Sequence, residues 1–312
     1  MKQRILLSVI SLVIVLATMF SLTSCVNGLD DTKYAVISEN NLSDDGLVYS
    51  IYENKTAIIT GRQVDYPEVI IPDEINGYPV VEVGDGAFER DETIVILTLG
   101  KNVKIVRDNA FSECTSLARV QASENLKMLC SGAFYGCSRL TEVIGATKLI
   151  HIDEVAFYNC SALAYFDFPE TLTTIKAEAF SGCESLTKAE LPAKITEIGD
   201  GTFSYCLSLT RVSMGNLKKI PNRLFLNCTA LEYVEVPNVS SIGAHAFRGC
   251  SNLKKLYVPK TVKSVGEACF AQCEKLSTVY YGGSEGAFAK IEYGAENDFF
   301  SGASIVYNQK LS

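Results

Sequence analysis

Residues 179–186 read Ala179-Phe180-Ser181-Gly182-Cys183-Glu184-Ser185-Leu186, or AFSGCESL. A cysteine set between glycine and glutamate can be a nucleophile, half of a disulfide, a metal ligand or a piece of core. The frame returns as AFSECTSL at 110–117, AFYGCSRL at 133–140, AFYNCSAL at 156–163 and AFRGCSNL at 246–253. Looser copies are TFSYCLSL at 202–209, LFLNCTAL at 224–231 and CFAQCEKL at 269–276. One catalytic site does not need eight copies, so the repetition speaks first for architecture.

The phenylalanines set the period. They fall at Phe88, Phe111, Phe134, Phe157, Phe180, Phe203, Phe225, Phe247 and Phe270, with spacings of 23, 23, 23, 23, 23, 22, 22 and 23. A fixed period in this range predicts a solenoid whose units bury their apolar faces only against their neighbours. One unit runs from Phe180 through Cys183, Leu186, Ala189, Leu191, Pro192, Ile195 and Ile198 to Phe203. Its segment from Leu186 to Leu191 alternates and stops at a proline, the pattern of a short strand that pairs with its copies as one parallel sheet. Asp85, Asp108, Ser131, Asp200 and Asn222 stand three residues before their phenylalanines, where they are expected to cap a brief helical or 3₁₀ turn. The Ile-x-x-Ile segment is expected to close each coil on the back.

This geometry answers the cysteine question. Equivalent residues of adjacent coils lie about 4.8 Å apart and point the same way, whereas a disulfide needs Cβ atoms about 3.8 Å apart and a particular twist. Cys114, Cys137, Cys160, Cys183, Cys206, Cys228, Cys250 and Cys273 are therefore read as buried free thiols acting as small hydrophobes. Asp91 holds the same position in the first unit. Cys130 and Cys269 stand outside the ladder about six coils apart, too far to pair. The chain has no C-x-x-C, and neither a metal nor a cofactor is expected.

The N-terminus tells where such a chain would live. A basic start, an apolar run from Ile5 to Phe20 and small residues ending at Cys25 have the build of an export signal. The run covers about 24 Å, short of the roughly 30 Å of a bilayer core, so cleavage is expected rather than spanning. Leu22-Thr23-Ser24-Cys25 resembles a bacterial lipobox, which implies lipidation of Cys25 and a membrane-anchored protein of the cell surface or envelope. Loss of Lys2 and Arg4 with residues 1–24 takes the formal charge of -8 to -10, and a surface of that sign argues against nucleic acid as a partner. The expected organisation is a signal peptide at 1–24, a lipidated cysteine and tether at 25–46, the solenoid at 47–307 and a tail at 308–312.

The AFxxCxxL frame at 23-residue spacing, with the strand-ending Pro169, Pro192, Pro237 and Pro259, resembles the BspA-type bacterial leucine-rich repeats, the treponemal class. The likeness extends to Ile70–Phe88 as first unit and to Val279–Tyr307 as closing cap. It implies a solenoid of 22–23-residue units with a parallel β-sheet on the concave face and short helical or 3₁₀ turns and loops on the back. It also implies a surface protein of a family that includes adhesins. No binding residue carries over, because the shared letters are the buried ones.

The variable positions must be read directly. Residues eight and ten after each phenylalanine are expected on the solvent face of the sheet. This places Tyr165, Arg211, Tyr233, Glu235, Lys255, Tyr257 and Tyr280 there as candidate contacts for a protein or glycan of a host or microbial surface. Exposed tyrosines beside charges suit recognition, although tyrosine also suits a strand for its own sake. A passive envelope spacer is the structural alternative. A glycan-acting enzyme is the chemical one, since Asp167 and Glu190 fall on adjacent expected strands at about 5 Å. An open, ion-paired surface leaves both ionised, and a general acid needs burial. His151 and His245, the only histidines, lie four units apart. No catalytic residue is assigned.

Overall fold

The computed structural model describes residues 34–236, 238–297 and 302–309. The signal segment, Cys25 and the tether to Lys33 lie outside them. What is described is a leucine-rich β-solenoid whose coils stack in register. The concave front sheet runs in parallel from Glu68–Ile71 through Ile96–Leu99, Arg119–Gln121 and Glu142–Ile144 to Tyr165–Phe166. Along each strand the middle residue, such as Val120 or Val143, is buried and its neighbours are less so, as a pleated strand with one face on a core requires.

Two expectations about the rest of the coil are corrected. The back segment is not a loop but a second parallel ladder of two-residue strands. Ile105–Val106, Met128–Leu129, His151–Ile152, Thr174–Ile175 and Glu197–Ile198 pair in sequence. Two residues suffice because every coil offers the same pair to the next. The Ala-Phe-x-x-Cys segments are turns, and among the described residues the α-helix is confined to Glu285–Phe288 in the closing cap. Their amides are used between coils instead of within one: Phe157 N–H donates to the Ala179 carbonyl at 2.8 Å and Phe180 N–H to Thr202 at 2.9 Å. Left-handed residues on both sides, Glu178 at φ 56° and Gly182 at φ 76°, stop any helix from propagating. The acids expected as caps serve the following coil, not their own. The Asp85 carboxylate accepts from Asp108 N–H at 3.2 Å, Asp108 from Ser131 N–H at 3.0 Å and Asp200 from Asn222 N–H at 3.1 Å.

The N-terminal boundary also moves. Val36–Leu42, expected in the tether, pairs antiparallel with Leu47–Tyr52, which pairs with Ala57–Arg62, and that strand starts the back ladder on Tyr78–Val83. The hairpins thereby cover a sheet edge that would otherwise be open. At the other end Ser304–Val306 extends the front sheet on Thr278–Tyr281, and Glu292–Tyr293 extends the back on Ser264–Val265.

The phenylalanines stack face to face along the core, with ring centroids 4.9 Å apart at Phe88–Phe111 and 5.4 Å at Phe134–Phe157. All eight ladder cysteines are buried and free. Each thiol donates to the phenylalanine carbonyl of the coil before: Cys137 to Phe111 at 3.1 Å, Cys160 to Phe134 at 3.1 Å and Cys228 to Phe203 at 3.0 Å. That carbonyl also accepts its own coil's cysteine N–H, as at Phe180 from Cys183 at 3.2 Å. A cysteine thus fills an apolar slot and still occupies a carbonyl lone pair, which alanine cannot do. Asp91 is tolerated at this position because Arg62 reaches it with two hydrogen bonds, 2.7 and 2.8 Å long. Cys130 lies with Ile105 and Met128 in a separate apolar cluster. Cys269 is free, so the two are not partners.

Burial pushes the thiols of Cys114 and Cys273 up to about 12, and the others rise for the same first reason. A thiol reacts as thiolate, so the ladder is expected to resist alkylation in the native protein. Iodoacetamide followed by mass spectrometry, with and without guanidinium, checks this. Rapid native labelling of Cys160 or Cys183 would contradict the packing.

The solenoid is interrupted where the period shortens. Between Leu191 and Ile195 three residues carry the chain from front to back, but between Met214 and Leu217 only Gly215 and Asn216 do so. Here both ladders break. Glu197–Ile198 does not pair with Lys219–Ile220, and Arg211–Ser213 does not pair with Tyr233–Glu235. The phenylalanine stack reaches its widest spacing, 6.0 Å, at Phe203–Phe225. Only the turn column stays continuous, through Phe203 N–H to Leu224 at 3.0 Å and Tyr205 N–H to Leu226 at 2.7 Å. The return to 23 residues after Phe247 is absorbed without a break, since Ser241–Ile242 pairs with Ser264–Val265.

Candidate functional site

The front sheet sorts its outward residues into columns, because pairing partners 22 or 23 residues apart share a face. In one column Tyr165, Lys188, Arg211, Tyr233 and Lys255 follow one another, and Lys188 is directly opposite Arg211. Asp167, Glu190, Ser213 and Glu235 stand two residues further along. Like charges directly opposite disfavour a sheet, so the Lys188–Arg211 pair has no structural motive. Lys188 leans over the Tyr165 ring, 5.5 Å from its centroid, and lies 3.7 Å from Glu190. Arg119, in an early coil, is held by Glu142 at 2.8 Å, whereas Arg211 forms no ion pair among the described residues.

Tyr165 and Tyr233 are exposed, at 42% and 43%. The Tyr233 hydroxyl donates to Glu235 at 2.6 Å. Burial of the phenol, then the adjacent Glu235 carboxylate, holds Tyr233 above the ordinary tyrosine range, so it stays a donor at neutral pH. Tyr257 departs from expectation. It is buried, at 9%, and its hydroxyl donates to the Gln309 carbonyl at 3.3 Å. The cause is the closing segment: Asn308 N–H bonds Gly283 and Gln309 N–H bonds Tyr281, which brings residues 307–309 across the end of the sheet. Tyr280 is half-buried beside it, and Lys255 remains exposed.

The front ladder parts at two places on this surface. One lies between Tyr165–Phe166 and Lys188–Glu190, so Asp167 and Glu190 are not ladder partners. The other is the joint between Arg211–Ser213 and Tyr233–Glu235, which opens a groove of about 710 Å³ lined by Glu190, Arg211, Ser213, Gly215, Tyr233 and Glu235. Sequence reasoning named Arg211, Tyr233 and Glu235 but missed the groove. Its signal was present in the 22-residue step after Phe203 and in Gly215, which stands where Pro192 stands one coil earlier and takes φ 54°. Among the described residues no three of His, Cys, Asp or Glu converge to hold a metal ion. His151 is on a back strand and His245 on a turn, so neither stands on the front sheet that carries the groove.

Residues 81–210 and 150–277 match the family model described as "BspA type Leucine rich repeat region (6 copies)". The chain belongs to this family. A BspA-type solenoid is a non-catalytic scaffold. No protein with a curated description matches the chain. Among solved structures it is similar to a leucine-rich repeat protein of Bacteroides ovatus, with 22% identity and a TM-score of 0.61 over 86% of this chain and 71% of the other. That likeness concerns the fold. It is also similar to the Treponema pallidum leucine-rich repeat protein, with 26% identity and a TM-score of 0.45 over 76% and 90% of the two chains. A leucine-rich cell surface protein of Faecalibacterium prausnitzii matches at 19% identity and a TM-score of 0.39 over 83% and 97%.

Proposed function

We propose that this BspA-type protein is an exported, lipid-anchored recognition module that holds a protein ligand on its concave front sheet. The observation that carries the reading is the Tyr165–Lys188–Arg211–Tyr233 column, in which a cation without a carboxylate stands between a lysine and an exposed tyrosine. Such a row is unfavourable for the sheet alone and favourable for an incoming partner, since aromatic and arginine side chains dominate contact energies. Lys255 extends the row, while Tyr257 and Tyr280 shape its end. A passive spacer has no use for an inner-face arginine that forms no ion pair among the described residues.

The soluble chain beginning after Cys25, screened against matrix-protein and glycan arrays, is expected to give a saturable ligand. Joint replacement of Tyr165, Arg211 and Tyr233 by alanine is expected to weaken it at least about 100-fold, as loss of two or more hot-spot side chains does. An unchanged affinity sinks the front-sheet reading. The anchor is tested separately by peptide mapping of the full chain expressed in a bacterium that processes lipoproteins. Acylated Cys25, lost in Cys25→Ala together with membrane partition, is the expected result. A Cys25–Cys130 cystine in its place overturns the anchor.

A further inference from the structure

We infer that the outer face of the back sheet, at its N-terminal end, carries a site for an uncharged sugar ring, built around the terminal amino groups of Arg107. This site is separate from the front sheet, and its failure would leave the front-sheet reading standing. A cavity of about 460 Å³ lies over Ala57–Arg62 and Tyr78–Val83, lined by Arg107, Glu82, Asp85, Tyr34, Tyr52 and Thr60 among others. Its floor is the face turned away from the core. Ile58 is the register partner of Glu82 there, while Ile59 and Val83 point inward and are fully buried. Arg107 is only 8% exposed, yet the one hydrogen bond it makes runs from Nε–H to Glu82. A guanidinium has five N–H donors, and one that merely balances a carboxylate commonly lays two of them on it. Among the described residues the terminal donors of Arg107 meet no acceptor, and buried donors left in that state cost stability. They border the cavity, where a ligand can supply what the chain does not.

The neighbouring charges decide what those donors can take. Glu82 already balances Arg107 and Asp85 adds a second carboxylate, so the cavity leans negative and disfavours an anion. A cation would suit Asp85 but bring the guanidinium nothing to donate to. A hydroxyl both accepts and donates, so adjacent ring hydroxyls can take N–H groups from Arg107 and give their own protons to Asp85. The Asp85 carboxylate is exposed and among the described residues accepts only the Asp108 N–H, at 3.2 Å. Tyr52 and Thr60 add hydroxyls that no side chain or carbonyl engages among the described residues. Burial, the largest influence on it, holds the Tyr52 phenol above the ordinary tyrosine range, so it stays protonated. Tyr34, 42% exposed, and Ile58 offer apolar surface to the carbon face of a ring. A few converging polar groups between apolar walls is the general form of a small-ligand site.

The test is saturation-transfer NMR on the chain beginning after Cys25, with the methyl pyranosides of glucose, galactose, mannose and N-acetylglucosamine. Glucuronate and lysine serve as anionic and zwitterionic controls. At least one neutral pyranoside is expected to bind with a dissociation constant on the order of 1 mM, and the controls to bind more weakly. Asp85→Asn, at an exposed position, is expected to weaken the sugar about tenfold, the loss of one charge-assisted hydrogen bond. The paired exchange Glu82→Leu with Arg107→Met is expected to abolish binding, with circular dichroism and melting showing that the chain is still folded. Asp85→Asn decides alone if that chain does not fold. Saturation transfer to none of the four pyranosides, tighter binding of glucuronate or lysine, or unchanged affinity in Asp85→Asn overturns the site. Loss of the sugar in the joint Tyr165, Arg211 and Tyr233 variant would place it on the front sheet and overturns the site as well.

Discussion

Phe157→Ala is expected to lower the free energy of unfolding by about 3–5 kcal/mol, the usual loss for a phenylalanine removed from a close-packed core. Phe157 is fully buried, 5.4 Å from the Phe134 ring, 5.1 Å from Phe180, and edge-on to Phe166 at 5.2 Å. Turn hydrogen bonds on both sides fix the backbone, so the coil cannot close over the void. A solenoid is nearly one-dimensional and each coil contacts only its neighbours. The loss therefore falls on two interfaces at once, and a weakened centre invites the halves to unfold separately. Urea unfolding followed by circular dichroism is expected to show an earlier midpoint, with a broadened or two-step transition. Phe88→Ala, with a ring neighbour on one side only, is expected to cost less. A loss below about 1 kcal/mol at Phe157 would mean that the rings do not interlock.

How much of this was legible follows from what each residue type can say alone. Phe180, Cys183 and Leu186 repeat because they are core, and a period in core residues fixes coil length and stacking whatever the surface does. The thiol ladder was readable for the same reason, down to Asp91 as its exception, though the Arg62 partner was not. The back ladder was missed because a two-residue strand such as Thr174–Ile175 has no alternation to display. The helical turns were expected from Asp108 and Asp200 as caps, but a cap next to an expected turn looks the same in sequence whether it serves its own coil or the next. Tyr257 was placed on the surface by alternation, which is local. Its burial comes from residues 307–309, some fifty positions away, and alternation carries no knowledge of them. The joint was visible as a number, the 22-residue step after Phe203, yet a missing residue does not announce where in the coil it was lost or that both ladders part there.

The second large effect is expected at the N-terminal end, where a charge pair sits inside the molecule. Glu82, on Tyr78–Val83, is almost fully buried, and Arg107, just after Ile105–Val106 in the next coil, donates its Nε–H to the Glu82 carboxylate. Burial alone would depress the guanidinium, but Glu82 outweighs it and Arg107 is held above its ordinary range. It is thus charged at every pH the protein meets, and its raised pKa gives a contribution lost only in strong alkali. Glu82→Leu leaves that charge buried without its carboxylate and is expected to cost about 3–5 kcal/mol. Arg107→Met, which strands the carboxylate, is expected to cost a similar amount. The paired exchange Glu82→Leu with Arg107→Met should recover most of the loss, because two buried ions attract each other by little more than their desolvation takes away. Chemical unfolding of the four proteins gives the coupling energy directly. Additive losses, with no recovery in the double variant, would show that the two residues act independently and that their contact is incidental to the closing of this end.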